Sequence, residues 1–176
     1  MINLYVCKIC GEPYLGASAP KDCPFCGAPR KFLKSAGEYS QLWKDIKLKP
    51  ADEENLKKAL AGEVNATYYY GKISNSQEKY SKYNRLFKQL TRVETEHVNT
   101  IVKFLGIPYP AIKGEELKGS IKKDLARTKE LEAGAVKDYT EFIKTSKSKN
   151  VKLLFKALLH AEQGHFDWLD ADLKKQ

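Results

Sequence analysis

Four glutamates of this chain stand where a helix should be apolar. From residue 50 onward, apolar side chains recur at i, i+3, i+4 and i+7, the spacing of helices that each bury one face. In the first helical segment Glu63 shares that face with Leu56, Ala59, Leu60 and Tyr70. In the second, Glu94 and His97 lie among Phe87, Leu90, Val98 and Ile101. Glu132 keeps company with Leu125, Val136, Tyr139 and Ile143, and Glu162 and His165 with Phe155, Leu158, Leu159, Phe166 and Leu169. An unpaired buried carboxylate costs several kcal/mol, on the order of 5. Four facing one core would prevent folding unless something cationic sat between them. Two Glu-x-x-His pairs and two single glutamates are the usual ligand set of a di-iron or di-manganese bundle. The oxygen donors suit iron or manganese better than zinc, which remains possible as a substitute.

An internal repeat supports this reading. Glu63 to Glu94 is 31 residues and Glu132 to Glu162 is 30, while Glu63 to Glu132 is 69 and Glu94 to Glu162 is 68. Tyr70 follows Glu63 by seven, as Tyr139 follows Glu132. Two helix pairs, each giving half of a dinuclear site, account for all of these distances. Tyr70 and Tyr139 are expected to be core aromatics whose hydroxyls hydrogen-bond a carboxylate across the bundle. Tyr68 and Tyr69 point elsewhere and read as packing. His160 lies about 200° around its helix from Glu162 and is read as a surface or packing residue. Glu130 shares its side with Arg127 and Lys137, and Glu96 is about 100° off the ligand stripe, so neither is expected to bind metal.

The predicted helices run over about 51–78, 82–105, 119–146 and 148–174. Pro50 with Asp52, Glu53 and Glu54 is a strong helix start. Gly106, Pro108 and Pro110 stop the second helix, and Ser120 and Ser148 stand near the starts of the third and fourth. Short first and third connections with one long crossover describe a ferritin-type four-helix bundle, so the fold class is mainly α.

The first thirty-odd residues follow other rules. They hold all four cysteines, four of the seven prolines and four of the eleven glycines, a density that makes turns rather than helices. So short a piece cannot bury a sufficient core and needs a staple. Cys7-x-x-Cys10 and Cys23-x-x-Cys26, each followed by glycine (Gly11, Gly27), supply four thiolates in a tetrahedron for one iron or zinc ion. Spacing alone leaves a structural zinc ribbon and a redox iron site both open. The expected organisation is a cysteine module over residues 1–35, a connector over 36–49 docked through Trp43, and the bundle over 50–176.

With 42% hydrophobic residues in 176, disorder is excluded. The net charge of +9 comes from lysines spread over the whole length, which reads as a solvated surface and not as a nucleic-acid footprint. No stretch approaches the roughly 20 apolar residues of a membrane span, and Cys7 precedes any signal-peptide core. A cytoplasmic protein without a membrane partner is the expectation.

The segment "YVCKICGEPYLGASAPKDCPFCGAP" resembles the rubredoxin-like domain of the rubrerythrin family. "ALAGEVNATYYY", "ETEH", "ELEAGAVKDY" and "AEQGH" resemble its four ligand-bearing helices, here in the reverse order with the cysteine module first. The resemblance covers nearly the whole chain. It implies an Fe(Cys)4 centre at Cys7, Cys10, Cys23 and Cys26 that passes electrons to a di-iron site of Glu63, Glu94, His97, Glu132, Glu162 and His165. It implies reduction of hydrogen peroxide to water in oxidative-stress defence, with electrons from an NAD(P)H-dependent reductase or small redox protein. A homodimer or larger homo-oligomer is implied too, with exchanged helices permitted by the long crossover. The chain departs from the family at Ala135, where rubrerythrins carry a further glutamate. That departure keeps a di-iron oxidase using O2, or a ferroxidase, as the alternative, with a zinc-ribbon binding module behind them.

Overall fold

A computed structural model describes residues 1–76 and 80–174. The N-terminal module is a three-stranded antiparallel sheet of β1 (Asn3–Cys7), β2 (Pro13–Gly16) and β3 (Leu33–Ser35), in the order β2-β1-β3. Tyr5 pairs with Tyr14 on one side, and Cys7 with Leu33 on the other. The two Cys-x-x-Cys turns close where Gly11 N–H donates to Cys7 O and Gly27 N–H to Cys23 O. Both glycines have positive φ, 87° and 69°, which a side chain would strain.

Four helices follow: α1 (Pro50–Asn75), α2 (Asn84–Leu105), α3 (Ile121–Thr145) and α4 (Lys149–Leu173). Pro50 opens α1, Gly106 ends α2 in the left-handed conformation, and the Ser120 side chain caps α3 through Lys123 N–H. Helix α2 begins two residues later than expected, because Tyr83 N–H bonds to Tyr80 O in a turn. Helix α1 ends at Asn75, short of the expected 78; residues 77 and 78 lie outside the described residues.

The helices pair α1 with α2 and α3 with α4, and the two pairs meet chiefly along α1 and α3. Two buried aspartates tie the pairs together. Asp52, in the first turn of α1, accepts from Lys147 N–H at 2.6 Å and Ser148 N–H, holding the α3–α4 connection. Asp124, in the first turn of α3, accepts from Tyr69 of α1 at 2.6 Å and from Tyr80 of the α1–α2 connection at 2.5 Å. Each pair thus holds the turn of the other, and each buried carboxylate has its hydrogen bonds.

The cysteine module and the bundle share a core. Ile9, Phe32 and Leu33 belong to the same apolar cluster as Ile101, Phe104, Phe155 and Leu158. Lys103 Nζ donates to Cys10 O at 2.7 Å and lies over the Trp43 ring, which also packs against Phe104. Asn150 holds the connector at Leu42 O. A Cβ on Gly27 would come within 2.8 Å of Ala161 Cβ on α4, so glycine there permits the close seat as well as the turn. His160 is a surface residue that reaches Asp22 of the module at 3.0 Å.

Residues 106–120 cross from α2 to α3 and are strapped on the way. Asn65 of α1 bonds both the backbone and the side chain of Glu115, and Arg127 of α3 meets the same carboxylate at 2.8 Å. The Arg127 guanidinium, with help from Lys118 and Asn65, lowers the Glu115 carboxyl to about 2. A depressed carboxyl stabilises the fold above its unfolded value of about 4.3, and loses that contribution as pH falls toward 2. Being partly exposed, the pair is worth about 0.5–1 kcal/mol. Glu115→Gln should therefore lower unfolding free energy by about that much at pH 6, with the gap narrowing at pH 3, as read by urea unfolding.

Candidate metal centres

The four cysteine sulfurs converge at the inner edge of the module. Cys7 Sγ lies 3.8 Å from Cys26 Sγ and Cys10 Sγ 3.9 Å from Cys23 Sγ, and all four fall within 4.8 Å of one another. All are free thiols and at most 3% exposed. Glu12 N–H points at Cys10 Sγ from 3.5 Å, a backbone donor that favours thiolate. Hydrogen bonding within the cluster pushes the Cys10 and Cys26 thiols up, because so many sulfurs this close cannot all be anions without a cation.

The bundle brings together all six glutamate and histidine residues expected from the sequence. They form two overlapping groups: Glu63, Glu94, His97 and Glu162, then Glu94, Glu132, Glu162 and His165. Glu94 and Glu162 belong to both. His97 Nδ1 lies 2.9 Å from Glu94 Oε2, 2.9 Å from Glu162 Oε1 and 3.5 Å from Glu63 Oε2. His165 Nδ1 lies 3.2 Å from Glu94, 3.1 Å from Glu162 and 3.5 Å from Glu132. The rings are 6.5 Å apart and nearly parallel.

The unsatisfied atoms test whether metal fits. Both carboxylate oxygens of Glu94, Glu162 Oε1 and His97 Nδ1 are buried without a hydrogen-bond partner. They are close to one another but do not point protons at one another, as expected of lone pairs turned toward a shared cation. On the far side of the ring His97 Nε2 lies 3.0 Å from Cys26 O. A carbonyl only accepts, so Nε2 carries the proton and Nδ1 offers a lone pair to the cluster. Electrostatics make the same demand. Burial, then the charge of Glu162, raises Glu63 to about 8, and burial raises Glu132 well above the carboxylate range. Burial opposes charge on His97, yet Glu63, Glu162 and Glu94 raise it well above the ordinary value, and Glu94 does the same for His165. Without cations, the cluster gathers protons.

Tyr70 and Tyr139 make the reciprocal bonds expected across the bundle. Tyr70 of α1 donates to Glu132 Oε1 on α3, and Tyr139 of α3 donates to Glu63 Oε1 on α1. Both phenols are fully buried beside carboxylates, first by burial and then by charge held well above their usual pKa, so they stay protonated donors. Tyr68 bonds Glu116 on the crossover and Tyr69 bonds Asp124, so neither faces the cluster. Glu130 is exposed and paired with Arg127. Glu96 is half-buried off the cluster and accepts from Asn99 at 3.1 Å.

Three features are not expected from the sequence: the Cys26–His97 contact, the buried Asp124 outside the cluster, and a cavity of about 280 Å³ opening between α1 and α3 onto the glutamates. Asp124, Thr128 and Glu132 step by four along one helix, which was a readable signal. The other two depend on which elements meet.

Comparison with known proteins agrees with the geometry. The family model described as "Rubrerythrin, rubredoxin-like domain" matches residues 5–33, and the one described as "Rubrerythrin" matches 54–133. The second ends just after Glu132, so Glu162 and His165 are brought to the cluster by the fold and lie outside the match. Reverse rubrerythrin-1 of Clostridium acetobutylicum is 24% identical over 155 residues, covering 83% of this chain and 81% of its own. Bacterioferritin of Rhodobacter capsulatus superposes with a TM-score of 0.63 at 23% identity, over 73% of this chain and 87% of that one. A ferritin-like, diiron-carboxylate protein of Bacillus anthracis gives 0.61 at 18%, over 72% and 99%. These two likenesses show the fold. A helical bundle with this cluster is a ferritin-like protein whose glutamates and histidines fit a di-iron site, joined here to a rubredoxin-like cysteine site. The two rubrerythrin models together span more than half of the chain, and the protein belongs to the rubrerythrin family, with the cysteine module first as in the reverse type.

Elemental analysis of iron-loaded protein should give three irons per chain. Tyr139→Phe should keep the cysteine-bound iron and weaken retention of the other two by about 10–100-fold, the usual cost of losing a partner that orients a ligand. Equal retention under chelator challenge would show that the Tyr139 hydroxyl does not hold the ligand.

Proposed function

We propose that this chain is a non-haem di-iron peroxidase that reduces hydrogen peroxide to water with electrons relayed from its cysteine-bound iron. The observation that carries the reading is the hydrogen bond from His97 to the carbonyl of Cys26. A cysteine ligand of one centre thereby touches a histidine of the other within a single chain. Covalent and hydrogen bonds couple the two more closely than a gap would.

In this reading Cys7, Cys10, Cys23 and Cys26 hold one iron. Glu63, Glu94, His97 and Glu162 would hold a second, and Glu94, Glu132, Glu162 and His165 a third, with Glu94 and Glu162 common to both groups. Two irons bound there would supply two electrons and stabilise charge developing as an O–O bond breaks. The chain's own residues do the rest. Tyr139 and Tyr70 hold the Glu63 and Glu132 carboxylates in place by their hydroxyl protons. Peroxide enters between α1 and α3, where the cavity reaches Glu63, Glu94, Glu132 and Glu162. The apolar cluster beneath the module keeps bulk water from the His97–Cys26 contact. Hydrogen peroxide takes up two electrons and two protons and leaves as two waters.

Electrons enter from an NAD(P)H-dependent reductase or small redox protein, and the +9 charge favours an acidic one. The setting is cytoplasmic oxidative-stress defence, in a homodimer or larger homo-oligomer. Ala135 favours a second reading, oxygen reduction or ferrous-iron oxidation, because it opens the cavity wall where rubrerythrins carry a further carboxylate.

Reduced, iron-loaded protein mixed anaerobically with hydrogen peroxide should recover its ferric-cysteine absorption faster than in air-saturated buffer. Glu94→Ala with Glu162→Ala should bring recovery down to the uncatalysed background while leaving the cysteine-site spectrum intact. Faster recovery with oxygen would move the assignment to an oxidase, and accumulation of ferric mineral to a ferroxidase.

A further inference from the structure

The cavity between α1 and α3 is much larger than hydrogen peroxide needs. At about 280 Å³ it equals roughly nine water volumes of about 30 Å³ each. Peroxide has two heavy atoms. The size lies just below the range of clefts that hold drug-sized organic ligands, about 300–1,000 Å³, and suits a smaller organic group.

Two exposed glycines line the cavity, Gly62 of α1 and Gly134 of α3, both in helix interiors. A Cβ at either would meet nothing within 4 Å, and neither has positive φ. Neither packing nor backbone geometry asks for glycine, which weakens a helix relative to alanine. What the two share is the cavity. Ala66 and Ala135, each three residues beyond a cluster glutamate, also line it, and Phe142 adds an aromatic surface. Charges on the lining are of both signs, and Arg127 is already held by Glu115 and Glu130. That arrangement suits a neutral organic group better than a charged one.

We propose that the site also reduces organic hydroperoxides, with the organic group lodged between Ala66, Ala135 and Phe142 and the O–O end toward the glutamates. This rests on the peroxidase reading above. The O–O bond of ROOH breaks, two electrons arrive through the cysteine site and two protons from solvent, and an alcohol ROH and water leave.

The experiment compares hydrogen peroxide with cumene hydroperoxide as oxidants of the reduced, iron-loaded protein. Wild type should reduce cumene hydroperoxide with kcat/KM within about tenfold of that for hydrogen peroxide, a difference of about 1.4 kcal/mol or less. Ala135→Leu, and separately Gly62→Leu on α1, should lower the value for cumene hydroperoxide at least tenfold more than for hydrogen peroxide. Iron content and far-ultraviolet circular dichroism check that each variant folds. Independently of turnover, saturation-transfer NMR should detect the product alcohol, 2-phenyl-2-propanol, on the wild-type holoprotein and lose it in Ala135→Leu. Reduction of hydrogen peroxide without cumene hydroperoxide overturns the inference and leaves the peroxidase reading standing. Reduction of neither overturns both. Equal losses for the two oxidants in the wall variants, or unchanged alcohol binding, also overturn it.

Discussion

The mutual repulsion of four buried carboxylates governs this structure. Glu63, Glu94, Glu132 and Glu162 are each at most 3% exposed and converge from four helices. Such a cluster is affordable only with compensating positive charge, and the fold is arranged to place it centrally. Each helix gives one carboxylate, two give an imidazole three residues on, and two give a tyrosine that braces the carboxylate opposite. The same demand shapes the protonation pattern, in which burial raises Glu63 and Glu132 and the surrounding carboxylates raise the histidines. Folding and metal binding are coupled in such a site, since each ion relieves repulsion that otherwise opposes the core.

Bracing keeps the two halves of the bundle in register. Tyr70 and Tyr139 cross at the level of the cluster, Asp52 and Asp124 cross toward the connections, and Glu115 ties the crossover to both α1 and α3. Hydrogen bonds in a water-poor interior are costly to leave half made, so they specify one arrangement of the pairs as well as stabilising it. That rigidity benefits a site whose ligands must hold position while the charge on the metals changes.

The cysteine module breaks the two-fold symmetry of the bundle. It seats against α2 and α4, so His97 donates to the Cys26 carbonyl while His165 lies on the other side of the cluster, partly exposed. Between α1 and α3, where the pairs meet, a cavity with small residues along it opens onto the glutamates. One face of the cluster therefore meets the other metal centre, and another meets a solvent-connected cavity. The peroxidase proposed above would use two such separate approaches.

The sequence by itself determined the bundle, its long crossover and all ten side chains of the two clusters, because each rests on a local rule. Helical periodicity exposes a glutamate on an apolar stripe, Cys-x-x-Cys spacing exposes a thiolate turn, and the 30- and 31-residue intervals expose the pairing. Even the Tyr70 and Tyr139 bonds were readable, from their matching offsets of seven. Tertiary structure alone decided the start of α2, where buried Tyr80 forms a turn bound to Asp124, and the seat of the module on α2 and α4. It alone decided the Cys26–His97 contact and the cavity beside Ala135. Those features arise where segments distant in the chain are brought together by a shared core, and no periodicity within one segment records which surface of another it will meet.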